Sequence, residues 1–448
     1  MSKIEELIQQ LCPNGVEYKP LNSLGNFYCG LTGKNKEDFI SGNAKFITYK
    51  NIYSNIALNI NTDERVKIEE KEQQNTIEYG DVLFTGSSET PDECGFSSVL
   101  TTKTDEKLYL NSFCFGFRLF DKNLFLPDFL KHIFRSQSLR YQIGKTASGV
   151  TRFNVSKKLM GKIIIPVPPL PVQEEIVRIL DNFTNLTAEL QAELQARKSQ
   201  YEYYRDELLN YNCDKSGSSS LQSEESLSSH NDGNNASNQI HKLNSQTDKS
   251  VLQPNVKWMK LGEIAKFRNG KGHETDIVDS GKFIVVNSKF ISTNGIVKKY
   301  SDKQIVPLFI NDILMVMSDL PNGRALAKCF IVDQNDKYTL NQRIGAFSIK
   351  NASEVNNRFL YYILNRNRQL TKYDNGVDQT NLRKDNILDI LIPIPPLSEQ
   401  ERIVKILDRF DALVNDISNG LPAEIAARQK QYEYYRDMLL SFNELPNE

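Results

Sequence analysis

The sequence predicts an α/β or α+β domain that occurs twice, with long antiparallel coiled-coil helices separating the two copies in a pseudo-two-fold symmetric arrangement. Three observations predict it. The two halves of the chain repeat, a proline cluster in each half is followed by a helical apolar seam, and short strand-like stretches such as LYLNSFCFGFRLF and KFIVVNSKFI alternate with helix-like stretches such as NRFLYYILNRNRQL. With 448 residues, the chain is also too long for one ordinary core.

The internal repeat is the strongest of these observations. IPVPPLPVQEEIVRILDNF at 165–183 matches IPIPPLSEQERIVKILDRF at 392–410, an offset of 227 residues. AELQARKSQYEYYRDELL at 192–209 matches AEIAARQKQYEYYRDMLL at 423–440, an offset of 231 residues. Upstream, GDVLF at 80–84 resembles NDILM at 311–315. These matches indicate a duplicated module whose second copy has four extra residues between the two matched segments.

After each proline cluster, the apolar residues follow the alternating spacing of three and four that is typical of a coiled-coil seam. Proline excludes a helix until the chain is past Pro171. The four extra residues of the second copy lie around 419–422, where we expect a break or kink. The seam residues are Ile176, Leu180, Phe183, Leu190, Leu194, Tyr201, Tyr204 and Leu208 in the first copy, and Ile403, Leu407, Phe410, Val414, Ile417, Leu421, Ile425, Tyr432, Tyr435 and Leu439 in the second. Intramolecular pairing of the two seams is the simplest arrangement.

These signals divide the chain into six segments. We predict an N-terminal helix at 1–12, a first module at 13–171, a central coiled-coil helix at 172–211, a polar linker at 212–254, a second module at 255–398 and a C-terminal coiled-coil helix at 399–448. The linker is rich in Ser, Asn, Asp and Gln and has almost no apolar residues, so it is expected to be flexible.

Charge and cysteine content limit the class of protein. The formal net charge is −1, but basic residues exceed acidic ones by 20 to 17 in the first module and by 21 to 14 in the second. A basic surplus confined to two duplicated modules fits two nucleic-acid contacts. The six cysteines form no CxxC pair, so neither a zinc site nor a disulfide framework is expected. No apolar run could span a bilayer and the N-terminus is too polar for a signal peptide, which predicts a cytoplasmic protein without a membrane partner.

Several predicted loops mix small polar and basic residues, the side-chain types that contact phosphates and base edges. Two of these loops carry the most weight, because both copies place Gly-Val, a polar stretch and then Asn before basic residues, at Gly149 and at Gly376. The candidate DNA-contacting residues are Lys34, Lys36, Lys50, Asn51, Ser87, Ser88, Ser148, Arg152, Asn154, Lys157, Lys158, Arg268, Lys271, His273, Asn322, Arg324, Gln379, Asn381, Arg383 and Lys384.

The pieces CPNGVEYKPLNSLG, GDVLF, the two proline-helix segments and the two QYEYYRD segments resemble the conserved regions of specificity subunits of Type I restriction-modification enzymes. The resemblance covers nearly the whole chain outside the linker. It implies two target-recognition domains, each of which reads one half of a split site in double-stranded DNA. It also implies a non-catalytic chain that docks two methyltransferase subunits and works with restriction subunits, while S-adenosylmethionine, ATP and Mg are bound by those partners.

The repeated tyrosine-rich segments are the candidate partner surfaces, because they are more alike than seam packing alone requires. Their residues are Tyr201, Tyr203, Tyr204 and Arg205 in the first copy and Tyr432, Tyr434, Tyr435 and Arg436 in the second.

Two other functions stay open at this level. Pro91-Asp92 followed by Asp105-Glu106-Lys107 has the order of a magnesium-dependent PD-(D/E)xK nuclease, although the second module has no counterpart. A coiled-coil scaffold that does not bind DNA is the other alternative. A methyltransferase or ATPase is not indicated, since the proline pairs occur as VPPL and IPPL and no GxxxxGK[ST] loop is present.

Overall fold

The computed structural model describes residues 3–211, 256–320, 325–374, 377–416 and 419–446. The chain forms two compact units: the first is Met1–Leu194 with Ile417–Glu448, and the second is Gln195–Asp416. The predicted linker at 212–254 lies outside the described residues. No helix among the described residues is long and apolar enough to cross a membrane. Each unit therefore combines a mixed α/β region from one half of the sequence with a helical segment from the other half.

The first unit contains short helices and strands upstream of its long helix. Its helices are Lys3–Leu11, Leu21–Leu24, Tyr49–Ser54, Pro127–Ile133, Gln137–Gly144 and Lys157–Met160, with 3-10 turns at Lys36–Phe39 and Pro91–Glu93. Its strands are Glu17–Pro20, Gly25–Cys29, Ala44–Ile47, Arg65–Val66, Thr76–Ile77, Val82–Thr85, Ser87–Ser88, Ser97–Val99, Leu108–Leu110, Cys114–Leu119, Ala147–Ser148, Phe153–Val155 and Ile164–Val167.

The central sheet of the first unit is antiparallel and buried on both faces. Its strand order is Gly25–Cys29, Cys114–Leu119, Val82–Thr85 and Ser97–Val99. Because side chains alternate along a strand, Phe84 packs with Phe134 in one apolar cluster, whereas Leu83 packs with Ile47 in another. A second, mixed sheet contains the parallel pair Ala44–Ile47 and Leu108–Leu110. The continuous apolar run at 82–84 is thus that of a strand covered from both sides.

The second unit repeats this plan, which confirms the predicted duplication of a mixed helix-and-sheet module. Its helices upstream of the C-terminal pair are Leu261–Ile264, Ser288–Ser292, Asn357–Leu364, Arg368–Thr371 and Lys384–Leu388, and its strands are Lys257–Lys260, Ala265–Asn269, Phe283–Val286, Tyr300–Ser301, Ile313–Val316, Ser318–Asp319, Cys329–Ile331, Tyr338–Leu340, Ile344–Ile349, Thr380–Asn381 and Leu391–Ile394. Even the register is kept: Phe347 pairs with Phe267 and Ile313, as Phe117 pairs with Phe27 and Val82.

The two repeated helical segments differ in the way that the four extra residues of the second copy predict. In the first copy one helix runs over Leu170–Leu209, whereas the second copy has two helices, Leu397–Asn415 and Leu421–Leu439. The expectation that no helix begins before Pro171 is passed was wrong by two residues, because a proline in the first turn loses no intrahelical hydrogen bond. The break before Leu421 is confirmed.

Within each unit, a helical segment from one copy packs on a helical segment from the other. In the first unit the rings of Phe183 and Tyr435 stack with their centroids 5.2 Å apart. In the second unit the rings of Tyr204 and Phe410 stack at 5.6 Å. Phe183 corresponds to Phe410 and Tyr435 to Tyr204 in the sequence repeat, so the same contact occurs once in each unit.

A polar network joins the mixed α/β module of the first unit to both helical segments. His132 is fully buried, with Nε2 at 2.7 Å from Asp181 Oδ1 and Nδ1 at 2.9 Å from the Tyr432 hydroxyl. Burial lowers the pKa of His132, which keeps the ring neutral near pH 7. In the second unit the equivalent Tyr362 donates to Asp408 Oδ1 at 2.5 Å. The aspartate is retained in both units while its partner differs.

A buried glutamine anchors each long helical segment to its own module. Gln173 accepts from the Leu126 amide at 2.9 Å and donates to the carbonyls of Leu124 and Pro168 at 3.1 and 2.8 Å. Gln400 makes the same three bonds, accepting from the Asn356 amide and donating to the carbonyls of Glu354 and Pro395. Both glutamines have 0% exposure. Each buried amide is therefore fully paired, through three backbone groups of its own unit.

Replacing Gln173 with Leu should lower the free energy of unfolding of the first unit by about 3 kcal/mol, because the cost of each buried polar group left without a partner is about 1–3 kcal/mol. Urea denaturation followed by hydrogen exchange in peptides of residues 120–135 measures this. Gln191→Leu, on an exposed position of the same helix, is the matched control. Equal stability of the two variants would show that the buried amide contributes no more than an exposed one.

Candidate functional site

A small three-stranded sheet in the first unit gathers residues from two of the predicted loops. Its strands are Ala147–Ser148, Phe153–Val155 and Ser87–Ser88, and the register aligns Asn154 with Ser148 on one side and with Ser87 on the other. The hairpin turns at Gly149, where φ is +151° and an added Cβ would lie 2.0 Å from the Arg152 carbonyl oxygen. Glycine is required there because any other residue would be strained at this φ and its Cβ would collide with the carbonyl oxygen.

The side chains of Ser87, Ser148, Arg152 and Asn154 form what we call the first polar face. Arg152, just before the strand, donates from Nε to Ser87 Oγ at 3.1 Å. Ser148, Arg152 and Asn154 are exposed, whereas Ser87 is 6% exposed. The Tyr49 hydroxyl donates to the Ser87 carbonyl at 2.8 Å, which brings the helix Tyr49–Ser54, and with it the predicted contacts Lys50 and Asn51, against this sheet. Three segments that are distant in sequence and contain predicted contact residues therefore meet at one place.

The second unit builds an equivalent surface from Ser318, Gln379 and Asn381, which we call the second polar face. Asn381 pairs with Ser318, as Asn154 pairs with Ser87. Gln379 donates from Nε2 to Ser318 Oγ at 2.8 Å, in the position where Arg152 contacts Ser87. Sequence reasoning did not select Ser318 as a contact residue. The offset of 231 residues that relates GDVLF to NDILM also relates Ser87 to Ser318 and could have identified it.

Ser88, which follows Ser87 in the chain, faces away from the first polar face. Ser88 is 9% exposed and donates to Glu93 Oε2 at 3.2 Å, while the Tyr53 hydroxyl donates to Glu93 Oε1 at 2.8 Å. Hydrogen bonds from Tyr53 and Ser88 lower the pKa of Glu93 despite a smaller opposing effect of desolvation. Ser88 is therefore part of the support of the sheet and is not available at its surface.

Several predicted cations remain at the surface. Lys157 and Lys384, which are equivalent in the repeat, lie over the rings of Phe115 and Phe267 at 5.6 and 5.9 Å from the ring centroids. Lys157 also donates to Cys29 Sγ at 2.9 Å. The remaining exposed candidates are Lys36, Lys50, Lys158, Lys271 and Arg383. These cations are accessible to a polyanion.

Four predicted contact residues have hydrogen-bond or ion-pair partners within their own unit. Lys34 forms an ion pair with Glu72 at 2.5 Å, and its side chain is only 7% exposed. Asn51 exchanges hydrogen bonds with the backbone of Asn59 at 2.7 and 3.2 Å. His273 has 0% exposure, and its ring nitrogens lie 2.8 Å from the Lys271 carbonyl and 2.9 Å from Thr339 Oγ1.

Arg268 is the fourth of these residues, because it pairs with the buried carboxylate of Asp312. Asp312 also accepts from the Ser348 hydroxyl at 2.5 Å. Predicted contacts Asn322 and Arg324 lie outside the described residues.

In the first unit the equivalent buried carboxylate also pairs with an arginine, but that arginine lies on the neighbouring strand. Asp81, the counterpart of Asp312, accepts from Arg118 at 2.6 and 2.9 Å and from the Tyr28 hydroxyl at 2.7 Å. Tyr28 stands where the second unit has Arg268, and Arg118 stands where it has Ser348. Gly116 makes room for the tyrosine, since an added Cβ would lie 2.1 Å from Tyr28 Cζ. The hydrogen bond with Asp81 raises the pKa of Arg118 and outweighs burial, so the guanidinium stays protonated.

The candidate partner residues divide into buried and exposed members. Tyr201 and Tyr432 are buried, and Tyr204 and Tyr435 are half-buried in the stacked contacts described above. Arg205 and Arg436 are half-buried beside Asp206 and Asp437. Only Tyr203 and Tyr434 are largely exposed, at 64% and 66%. Helix packing explains the repetition of the inner residues, whereas it does not explain the two outer tyrosines.

Each outer tyrosine lies at a groove within its own unit. Tyr203 lines a groove of about 900 Å³ together with Trp258 and Arg368 in the second unit. Tyr434 lines one of about 700 Å³ together with Arg135 and Arg140 in the first. Aromatic and arginine side chains are the types enriched at protein interfaces.

Two acidic residues of the possible PD-(D/E)xK nuclease pattern, Asp92 and Glu106, can be located in the structure. Asp92 lies in the 3-10 turn Pro91–Glu93, and Glu106 forms an ion pair with Lys45 at 2.6 Å. Within the described ranges, no group of three or more His, Cys, Asp or Glu side chains could hold a metal ion.

Known proteins share this organisation. The family model described as Type I restriction modification DNA specificity domain matches residues 13–197 and 255–427. The specificity subunit of the Escherichia coli type I restriction enzyme EcoR124I/EcoR124II is 33% identical over 313 residues, which span 64% of this chain and 64% of that protein. A Haemophilus influenzae protein with the provisional name type I restriction enzyme specificity subunit S.HindORF215P is 32% identical over 307 residues, 66% of this chain and 68% of that protein.

A solved structure concerned with complex assembly and conformational transition of the type I R-M system contains a chain of the same fold. Its TM-score is 0.56 at 15% identity, and the alignment covers 96% of this chain and 98% of that one.

Substituting Arg268 with Gln should lower the free energy of unfolding of the second unit by about 2 kcal/mol, because a buried carboxylate loses its cation. Urea denaturation measures this. The triple variant Arg268→Tyr, Ala346→Gly, Ser348→Arg transplants the arrangement of the first unit and should recover most of the loss. If R268Q is as stable as the original chain but binds nucleic acid less tightly, Arg268 is a contact residue after all.

Proposed function

This chain belongs to the family of Type I restriction modification DNA specificity domains, and on that premise we propose that it is a non-catalytic recognition subunit that reads a two-part site in double-stranded DNA. Each module reads one part. S-adenosylmethionine, ATP and Mg are bound by partner subunits, where methylation and cleavage take place, and not by this chain.

The two polar faces are the observation that carries this proposal. In both, a strand pair aligns an asparagine with a buried serine, and that serine holds an exposed side chain two residues before the asparagine. The side chain that the serine holds differs, being Arg152 in one face and Gln379 in the other. A duplicated frame with divergent polar side chains is what a protein needs to read two different short sequences. A basic surplus in each module would supply the attraction to phosphate that is independent of sequence.

We further propose that the two grooves beside Tyr203 and Tyr434 dock two methyltransferase subunits, and that restriction subunits join the assembly through them. The repetition supports this proposal, because two copies of one partner require two equivalent surfaces on the chain. An exposed tyrosine at a groove is well suited as an anchor, since it supplies apolar area with little conformational freedom to lose.

Exchange of one module should change one half of the recognised site. If residues 255–391 are replaced by the equivalent segment of a relative with another specificity, methylome sequencing of the host should show a methylated motif with one half altered and the other retained. The reciprocal exchange of residues 13–164 should alter the other half. Changes in both halves from either exchange would contradict independent reading.

Replacing both Tyr203 and Tyr434 with Ala should weaken binding of methyltransferase subunits by about tenfold or more at each site, as expected for interface anchors. Native mass spectrometry of the assembled complex measures it, and each single variant should lose only one of the two subunits. Tyr79→Ala, at an exposed tyrosine remote from the conserved helices in sequence, is the control. Unchanged stoichiometry in the double variant would remove the tyrosines from the interface.

A further inference from the structure

The two polar faces place different base-reading side chains at one equivalent position. Arg152 and Gln379 are separated by the repeat offset of 227 residues, and each is followed two residues later by an asparagine, Asn154 or Asn381. Each is exposed, and each is held by the hydroxyl of the equivalent serine. We propose that Arg152 selects a guanine in the half-site of the first module and that Gln379 selects an adenine in the half-site of the second. This inference rests on the proposed function and names the side chains that carry it out.

The hydrogen bond to Ser87 leaves the reading end of Arg152 available. It occupies Nε, and among the residues that the structure describes neither Nη1 nor Nη2 has a hydrogen-bond partner. Two parallel N–H donors in one plane match O6 and N7, the two acceptors that guanine presents in the major groove. Because Nε is fixed, the fork is oriented before DNA arrives, which reduces the entropy that binding must overcome.

Gln379 keeps one donor and one acceptor in the same way. Its Nε2 has two hydrogens, one of which is directed at Ser318 Oγ, and in the described part of the chain Oε1 accepts no hydrogen bond. The remaining N–H can donate to N7 of adenine while Oε1 accepts from the N6 amino group. The same serine support thus presents a double donor in one module and a donor with an acceptor in the other.

A phosphate contact would not explain this difference. The backbone of DNA is the same at both half-sites, so a phosphate-binding position should keep its cation in both copies. That is the case at Lys157 and Lys384, which are equivalent and both basic. At the serine-held position the cation is replaced by a neutral amide, which alters hydrogen-bonding pattern as well as charge.

The test is methylome sequencing of a host whose complex carries Arg152→Gln. Methylation of the original site should fall by about tenfold to a hundredfold, the loss typical of a bidentate base contact. One guanine of one half-site should be replaced by adenine or become variable, while the other half-site stays unchanged. Gln379→Arg should produce the opposite change in the other half-site.

Two controls separate base reading from charge. Arg152→Lys retains the charge but not the planar fork and should weaken the guanine preference. Lys157→Ala, at a lysine whose counterpart Lys384 is also basic, should weaken binding to all sequences alike and leave the motif intact.

Three results would overturn the inference. They are an unchanged motif in R152Q, an undiminished guanine preference in R152K, and a loss of methylation in R152Q with no change of preference at any position. In all three the original chain still directs methylation of a two-part motif, so the proposed function stands. If the unsubstituted complex yields no two-part motif, the proposed function fails, and this inference fails with it.

Discussion

A polar group that is removed from water must find a partner, and in each unit one glutamine meets this requirement for three backbone groups at once. Gln173 and Gln400 join the first turns of a long helical segment to the backbone just before a module helix and to a proline carbonyl. An apolar residue at either position would fill the space without pairing these groups. The amide thereby fixes the start of each helical segment to the backbone of its module.

The same constraint explains why the two units agree closely in frame and differ in detail. Apolar residues set the register of the central sheet, where equivalent phenylalanines pair in both units. A buried polar group at an equivalent position can be paired by different side chains in the two units. His132 and Tyr362 are two such side chains beside an equivalent aspartate. The polar faces follow this rule at the surface, where the serine is kept and the side chain it holds is free to differ.

Periodicity and repetition are local properties of the sequence, and the features that depend on them could be predicted: the duplicated mixed module, the long helices, and the break before Leu421. The pairing of cations with buried acids could not, because partners such as Arg268 and Asp312 are 44 residues apart and loop composition does not connect them. For this reason the sequence did not reveal that Arg268 and Lys34, both predicted DNA contacts, have acidic partners within their own units. Arg152 and Asn154 could be selected because their loop occurs twice.

The arginine that pairs with the buried carboxylate lies on different strands in the two units. This difference limits recombination between the coding sequences of two modules. A crossover that joined the strand of Arg268 to the strand of Arg118 would place two guanidinium groups beside one buried carboxylate. The reciprocal product would pair Tyr28 with Ser348 and leave the carboxylate with no cation. Both products would be penalised during folding, before any DNA is encountered. New specificities in this architecture are therefore expected to arise by the transfer of whole modules, or by changes on the exposed polar faces, and rarely by mixing strands within a sheet.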